Sequence, residues 1–321
     1  MSTAAALTEL QKDIQKKKLP SLLDRKFEKV AGCDNEEGDF SVMQWNVLAQ
    51  GLSGGDNNFV LCPREALSWE NRQLRILEEI YRTSPSILCM QEVDCFSFLK
   101  NKLSSLGYEG EWVQKPSSPC MEMENNMGPD GCALFYRKDK FQLLQAKHVN
   151  LKKNGRETNQ SGLVCKLKFQ DNDHLIYVAV IHLKAKSGYE ELRHQQGKYL
   201  LEYLAKESGP EPIIVCGDFN ASTKEPVYKD FSDSELGLKS VYKESSADQK
   251  EPKYTTWKIR AGPDGGNTES CKTIDYIWIR GNLKLTSVLS IPKDEAIGPN
   301  RLPSYQYPSD HFALACKLLF T

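Results

Sequence analysis

Long apolar runs are missing from this sequence. No stretch approaches the roughly 18 consecutive apolar residues that a transmembrane helix needs, and the amino-terminal residues lack the apolar core of a secretory signal. We therefore expect no membrane span. Lys12, Lys16, Lys17 and Lys18 leave a weak organelle-targeting role open, mitochondria included. A surface helix or a frayed tail is the simpler interpretation of this segment.

Cysteine pairs at metal-binding spacing are also absent. The ten cysteines form no CxxC pair and have no histidine at zinc-finger spacing. Several, among them Cys89, Cys132, Cys216 and Cys316, lie inside strand-like runs, where a free thiol behaves as a small buried hydrophobic group. This usage predicts a reducing compartment, such as the cytoplasm, with neither structural disulfides nor structural zinc.

An excess of charge of one sign is the third missing feature. Lys plus Arg total 42 against 43 for Asp plus Glu, so the net charge is -1. Non-specific affinity for a long nucleic acid comes from many phosphate contacts, and a near-neutral chain is poorly suited to it. A small anionic substrate in a local basic pocket is compatible with this balance.

The apolar pattern divides the chain into two parts. Residues 1–38 are polar and lysine-rich and end in an acidic run over 34–39, so we expect a lead-in segment ahead of one domain over 39–321. Periodicity predicts helices over 64–81, 96–106 and 189–204, and strands over 131–136, 163–169, 175–182, 254–260, 273–279 and 312–320. Alternating strands and helices indicate a layered α/β architecture in which helices cover the sheets.

Four short segments place polar side chains at one end of an apolar run. They span residues 42–46, 87–92, 213–220 and 309–315. Such runs, bounded by turn residues, predict buried strands. Carboxylate and amide oxygens gathered at strand ends suit a divalent cation such as magnesium. This is the arrangement that hydrolysis of a phosphate ester requires.

The segment around Phe219 carries the strongest of these signals. Asp218 and Asn220 flank the aromatic residue, so an extended chain would place both side chains on one face. One could polarise a water while the other holds a phosphate oxygen. The alternative is an ordinary turn, in which Asp and Asn are common. Glu92, taken alone, is more simply interpreted as an ordinary acidic residue that starts a loop.

Two of the five histidines adjoin strand-like runs. His182 ends one run and His311 precedes another. An imidazole can donate a hydrogen bond or a proton to a developing phosphorane when a carboxylate orients it. Asp275 lies within a predicted strand, where an unpaired charge is costly. We expect His311 to be its partner; the alternative is a solvated carboxylate on an edge strand.

The order of these motifs resembles that of the exonuclease–endonuclease–phosphatase superfamily, over about residues 40 to 320. The matching residues are Asn46, Glu92, His182, Asp218, Asn220, Asp275, Asp310 and His311. The resemblance implies a four-layer α/β sandwich, with two packed mixed β-sheets flanked by helices, as in DNase I. It also implies a magnesium site between the sheets, in which manganese could substitute.

Longer segments narrow the resemblance to one group in the deadenylase-like branch. These segments span residues 43–50, 128–135, 254–260 and 297–304. For this group the resemblance implies removal of the 2′-phosphate from NADP+ and NADPH. Glu92 and Asn46 would hold magnesium with Asp310 nearby, and Asp218 would activate the attacking water.

The remaining roles implied by the resemblance concern the phosphate and its surroundings. Asn220 and His182 would bind the phosphate and its transition-state charge, while Asp275 would orient His311. Basic positions around the pocket would contact the dinucleotide: Lys115, Lys184, Lys186 and Arg260. Lys186 departs from the pattern, which has Arg there. Lys keeps the charge but loses the bidentate fork that Arg offers a phosphate.

Two other functions compete with a dinucleotide phosphatase. A 3′-exoribonuclease that trims poly(A) would share the fold, and a non-catalytic scaffold of an mRNA complex would lack site residues. Near-neutral charge and a small local set of Lys and Arg favour a compact dianionic substrate, and every expected site residue is present. We therefore expect a monomeric, cytoplasmic enzyme with at most weak RNA contact.

Overall fold

The computed structural model describes residues 2–33, 38–55 and 57–321, so most of the acidic run predicted over 34–39 lies outside the described residues. The α-helices are α1 (Thr3–Lys16), α2 (Gln50–Ser53), α3 (Trp69–Thr83), α4 (Phe96–Ser104), α5 (Glu190–Ser208), α6 (Pro226–Ser232), α7 (Val241–Ser245) and α8 (Asp294–Ile297). Short 3-10 helices span Arg64–Leu67 and Pro119–Glu122.

The strands make up two large sheets and one small ribbon. They are β1 (Phe27–Lys29), β2 (Phe40–Asn46), β3 (Ile87–Gln91), β4 (Tyr108–Gln114), β5 (Gly131–Arg137), β6 (Phe141–Lys153), β7 (Arg156–Phe169), β8 (Leu175–His182), β9 (Ile213–Asp218), β10 (Lys239–Ser240), β11 (Thr256–Ala261), β12 (Asn267–Lys272), β13 (Asp275–Arg280), β14 (Leu283–Leu289) and β15 (Leu314–Phe320). The first sheet has the order β1-β14-β15-β2-β3-β5-β4 and the second β10-β13-β9-β8-β7-β6, while β11 pairs with β12.

Both large sheets are mixed. In the first sheet β2 runs parallel to β3, and in the second β8 runs parallel to β9. Neighbouring pairs such as β15 with β2 and β13 with β9 are antiparallel. The parallel pairs matter for function because their carboxyl ends lie side by side.

Side-chain alternation along the central strands builds a four-layer sandwich. In β2, Val42 packs between the sheets while Met43 and Trp45 pack outward, in the core shared with α1, α3 and α4. The outer face of the second sheet is covered by α5 and α6, with Leu200 and Phe231 in that core. The predicted four-layer α/β sandwich is confirmed.

The amino-terminal segment packs on this sandwich. Ala6, Leu10 and Ile14 of α1 lie in the outer core beside α3, and β1 adds an antiparallel strand next to β14. The boundary predicted at residue 38 therefore marks a change in amino-acid composition. In the structure, residues 3–29 belong to the outer core and the first sheet of the sandwich that the following residues build. None of the helices in the described part of the chain has both the length and the apolar character to cross a membrane.

Several predicted element boundaries shift for local reasons. The strand over 175–182 is observed as predicted, but the helix over 64–81 divides at Ser68, whose extended backbone separates a 3-10 turn from α3. The strand over 163–169 begins earlier, at Arg156, because β6 pairs along its whole length. All ten cysteines are free thiols, and Cys271 is the exposed one among them.

Candidate active site

Strand ends from both sheets meet at one edge of the sandwich. In the first sheet Asn46 lies opposite Gln91, directly before Glu92. In the second sheet Asp218 pairs in register with His182 on one side and with Asp275 on the other. Side chains that are far apart in sequence therefore converge on one cleft. We call this set the reaction centre: Asn46, Glu92, His182, Asp218, Asn220, Asp275 and His311.

Asn46 bridges the two carboxylates of the centre. Its Nδ2 donates to Glu92 Oε1 at 2.9 Å and to Asp218 Oδ2 at 3.0 Å, while its Oδ1 accepts from the Leu48 N–H at 3.0 Å. The amide nitrogen, and not the oxygen, thus faces the carboxylates in this conformation. Metal ligation through Asn46 requires the amide to turn over.

The donor set nevertheless fits a divalent cation. Ligand atoms of Glu92, His182 and Asp218 all lie within 4.8 Å of one another. Within the described ranges neither carboxylate has a Lys or Arg within ion-pair distance. Two carboxylates that share one amide repel each other, and a cation between them would remove that cost. Glu92 itself has a φ of 54°, so the chain turns sharply here and leaves the line of β3.

Asp310 is held by cations of the protein. Its carboxylate pairs with Lys258 and lies 3.7 Å from Arg260 Nη2 and 3.7 Å from His311 Nε2. Burial alone would raise the pKa of Asp310, but Lys258, His311 and Arg260 together lower it well below its usual range. Asp310 is therefore ionised. The predicted role near a metal stays a prediction, because its nearest partners here are basic side chains.

The predicted contact between His311 and Asp275 is present. His311 Nδ1 lies 2.9 Å from Asp275 Oδ2 and 3.1 Å from Oδ1. Gln44 Nε2 donates to Asp275 Oδ1 at 3.1 Å, and Thr255 Oγ1 donates to Oδ2 at 2.6 Å. Asp275 is buried in a strand with neighbours on both sides, so the edge-strand alternative is wrong.

This pairing leaves the other nitrogen of His311 facing the centre. His311 Nε2 lies 3.8 Å from Asp218 Oδ2, and His182 Nε2 lies 3.5 Å from the same oxygen. Burial would lower the pKa of His311, but Asp275 and Asp310 outweigh it and raise the pKa to about 9. At neutral pH His311 is thus a buried imidazolium that can donate through Nε2.

Asn220 reaches the centre by a turn and not by strand alternation. β9 ends at Asp218, and Asn220 has a φ of 49°. The Asn220 N–H donates to Asp218 Oδ1 at 2.8 Å, and Asn220 Nδ2 donates to the Leu183 carbonyl at 3.1 Å. The predicted reason for the pairing of Asp218 and Asn220 was wrong, because the short polar side chain of Asp218 stabilises a turn. This turn fixes Oδ1 and leaves Oδ2 directed at the two imidazoles.

Four predicted basic residues form a second group, which we call the basic rim: Lys115, Lys184, Lys186 and Arg260. Lys115 lines a small cavity together with His182, and its Nζ lies 3.9 Å from Asp130 Oδ2. Burial lowers the pKa of Lys184, and the nearby charges of Lys115 and Lys186 lower it further. Three ammonium groups therefore crowd one side of the centre, where they favour an anionic ligand.

The rim is less firmly held than the centre. Lys184 Nζ lies 4.7 Å from the centroid of the exposed Tyr189 ring. Arg260 lies over Phe59 at 5.2 Å, and its side chain is 46% exposed. Exposed cation–π contacts of this kind contribute only about 0.5–1 kcal/mol. The rim side chains can therefore adjust to a ligand.

Arg72 is a site residue that sequence reasoning missed. It is buried in α3, where Nε donates to the Pro308 carbonyl at 2.8 Å and Nη2 donates to the carbonyls of Val47, at 2.7 Å, and Leu48. It thereby joins the loop after Asn46 to the loop before Asp310. A signal existed, because an arginine four residues before Ile76 lies on the apolar stripe of the helix.

Lys258 is a second residue that sequence reasoning did not assign to the site. Its sequence context allows a solvated lysine at a strand end, but its side chain is only 13% exposed and pairs with Asp310. The contact joins β11 to the loop before β15, and no local pattern in either segment predicts it.

Comparison with known proteins agrees with this geometry. Residues 43–311 match the Endonuclease/Exonuclease/phosphatase family. The chain is 47% identical to nocturnin of Xenopus laevis over 286 residues, covering 88% of this chain and 72% of that protein. It is 47% identical to nocturnin of Homo sapiens over 294 residues, covering 90% and 67%. The structure of the human nocturnin catalytic domain with bound sulfate anion superimposes with a TM-score of 0.77 at 39% identity, covering 92% of this chain and 98% of that one.

Proposed function

The chain belongs to the nocturnin group of the Endonuclease/Exonuclease/phosphatase family, and from this premise we propose that it is a magnesium-dependent phosphatase that removes the 2′-phosphate of NADP+ and NADPH, giving NAD+ and NADH. The observation that carries the proposal is the environment of Asp218 Oδ2. This buried carboxylate oxygen faces two imidazoles and the Asn46–Glu92 pair. Lys115 of the basic rim lines a small cavity together with His182, and Lys184 and Lys186 lie near Lys115.

Hydrolysis of a phosphate monoester needs a base for the attacking water, a group that stabilises negative charge and a proton donor for the leaving oxygen. Asp218 Oδ2 is placed to accept a proton from the attacking water, since its other oxygen is fixed by the Asn220 N–H. His311 and His182 can donate to the oxygens of the phosphoryl group while the water–phosphorus bond forms and the bond to the ribose 2′-oxygen breaks. The His311 imidazolium can then give its Nε2 proton to the leaving 2′-oxygen.

Asp275 keeps His311 in this state. Its carboxylate holds Nδ1–H, so the second proton of the imidazolium stays on Nε2, directed at the centre. Glu92 and Asn46, with the amide turned over, would hold magnesium. When bound, this cation would neutralise charge on the phosphate and on the leaving 2′-oxygen.

The basic rim favours a compact substrate with several phosphates. One side of the centre has Lys115, Lys184 and Lys186, while the chain as a whole has a net charge of -1. A dinucleotide carrying a pyrophosphate and a 2′-phosphate suits such a local patch better than a long polyanion does. The human relative's catalytic domain was solved with a sulfate, a tetrahedral oxyanion like the group to be removed.

A side-by-side assay tests the proposal. Purified protein with magnesium is incubated with NADPH, NADP+ and oligo(A) at equal concentration, and inorganic phosphate and mononucleotides are measured. We expect phosphate from both dinucleotides and intact oligo(A), with activity lost in EDTA and in Glu92→Ala and restored to the wild-type protein by magnesium or manganese. Mononucleotides from oligo(A) without phosphate from NADPH would instead identify a poly(A) exoribonuclease.

We further propose that residues 39–321 carry the catalytic domain and that the enzyme acts as a cytoplasmic monomer. The reaction centre is complete within one chain, since both sheets that build it belong to the same sandwich. Light scattering at assay concentration should give a mass near 36.4 kDa. A dimer mass would contradict the monomeric part of the proposal.

A further inference from the structure

A second cavity lies beside the reaction centre and is not used by the proposed reaction. It has a volume of about 700 Å³ and is lined by the loop after β9, by α6 and α7, by residues 249–253, by the end of β12 and by residues 273–274, which precede β13. It shares Asn220 with the centre, but no residue of the basic rim lines it. Its volume lies within the range of small-molecule sites.

The wall of this cavity concentrates positive charge. Five lysines line it: Lys224, Lys243, Lys250, Lys253 and Lys272. Two acidic residues also line it, Glu225 and Glu251. The charge of Glu225 is already balanced, because its carboxylate accepts from Arg193 Nε at 2.8 Å and Nη2 at 2.7 Å. An excess of lysine in a chain of net charge -1 indicates a local site for an anion.

Three of these lysines have no carboxylate within ion-pair distance in the described part of the chain. Lys250 pairs with Asp248 at 2.9 Å and Lys253 pairs with Asp294. Lys224, Lys243 and Lys272 form no such pair. Lysine ammonium groups bind phosphates as point charges, so these three can take up phosphate oxygens without breaking an existing ion pair.

Glu251 adds a different kind of recognition to the same cavity. Its Oε1 accepts from the Tyr228 hydroxyl at 2.8 Å. Burial raises the pKa of Glu251, although Tyr228 and Lys243 counteract this. A half-buried carboxylate next to lysines does not help to bind a phosphate, because the two groups carry charge of the same sign. It can, however, accept a hydrogen bond from a ribose hydroxyl or a base amino group.

From this combination we propose that the cavity is a second nucleotide site, in which the lysine wall binds the phosphates of a nucleoside diphosphate and Glu251 binds its sugar or base. A free phosphate would contact the lysines but offer no hydrogen-bond donor to Glu251. A nucleoside without phosphates would contact Glu251 but offer no anion to the lysines. The proposal is independent of the 2′-phosphatase reaction, because it requires neither metal nor turnover.

Calorimetric titration of ADP into the purified protein in EDTA tests the site. We expect saturable binding that weakens by about tenfold in Lys243→Glu/Lys272→Glu, from two lost charge contacts. The matched control is Lys12→Glu/Lys284→Glu, which reverses two exposed lysines outside the cavity and should leave ADP binding unchanged. Equal weakening in both double variants would overturn the assignment.

Pyrophosphate separates a nucleotide site from a general anion patch. We expect ADP to bind more tightly than pyrophosphate. We also expect Glu251→Gln to weaken ADP binding by a few-fold without weakening pyrophosphate binding, because the substitution removes a hydrogen-bonding carboxylate and its repulsion of anions. Equal affinities for ADP and pyrophosphate, or no saturable binding of ADP at all, would refute the nucleotide site. Neither binding measurement uses activity on NADPH. The proposed nucleotide site and the proposed 2′-phosphatase activity can therefore fail independently of each other.

Discussion

The reaction centre and the basic rim hold their charged side chains in opposite ways. In the centre, Asp218 and Asp275 are each 1% exposed and hydrogen-bonded on both oxygens. In the rim, Lys186 is exposed and Arg260 rests on an aromatic ring. A buried, fully paired group is preorganised for one charge distribution, whereas an exposed lysine mainly attracts an anion. The centre should therefore control kcat and the rim should control KM.

The largest expected effect is on the base. Asp218→Asn keeps the shape of the side chain but removes the proton acceptor, so kcat for phosphate release from NADPH should fall about 10³-fold. Circular dichroism and thermal melting would show an intact fold. A loss of less than tenfold would show that another group accepts the proton.

The next effect concerns the imidazole. Asp275→Asn removes the largest contribution that raises the pKa of His311, which otherwise remains protonated up to about pH 9. In the variant the imidazolium should lose its proton at lower pH, so the alkaline limb of the kcat profile should move to lower pH and kcat should fall about 10²-fold.

Nuclear magnetic resonance titration of His311 in metal-free protein would check the cause. The raised pKa of His311 also makes the stability of the fold depend on pH. The protonated imidazole stabilises the folded state fully below the ordinary histidine pKa, and this stabilisation is lost as the pH rises through about 9. An unchanged His311 titration in Asp275→Asn would contradict the assignment.

Arg72 holds the two loops next to Asn46 and Asp310, so its substitution should affect the reaction centre by changing how these loops are positioned. Arg72→Met leaves the carbonyls of Val47, Leu48 and Pro308 without their donor, so the free energy of unfolding should fall by about 2 kcal/mol. The magnesium concentration for half-maximal activity should rise, because the loop next to Asn46 loosens. Arg72→Lys should restore part of the stability, and a variant with unchanged magnesium dependence would limit Arg72 to a structural role.

A substitution in the basic rim should change KM for NADPH more than kcat. Lys184→Ala removes one of three crowded ammonium groups, so KM for NADPH should rise about fivefold to tenfold while kcat changes less than twofold. Lys12→Ala, in the amino-terminal helix, is a matched control. An equal fall in kcat and kcat/KM would place Lys184 within the centre instead.

The smallest effect is expected at the position that departs from the family pattern. Lys186→Arg restores the bidentate fork, so KM for NADPH should fall about twofold. The backbone should tolerate the change, since the Lys186 carbonyl, and not its side chain, accepts from Arg193 at 2.8 Å. An increase in KM would mean that the rim is already optimised for lysine.

Local patterns predicted much of this molecule and failed at identifiable places. The apolar run before His182 was predicted with its observed bounds, because a buried central strand shows its pattern along its own length. Asn220 was assigned to the right cluster for the wrong reason, since hydrogen bonding by Asp218 turns the chain at that point. Lys258 was not assigned to the site, because its partner Asp310 lies 52 residues away.

The sequence by itself determined the family, the layered α/β class and the residues whose chemistry points to phosphate hydrolysis, because polar groups at the ends of apolar runs are visible within a few residues. Apart from the pair of His311 and Asp275, which charges meet was decided by the tertiary structure. Arg72 under the loops, Lys258 on Asp310 and the lysines around Glu251 depend on contacts between distant segments. Long-range electrostatics follows from the packing of the sheets, and no local periodicity records it.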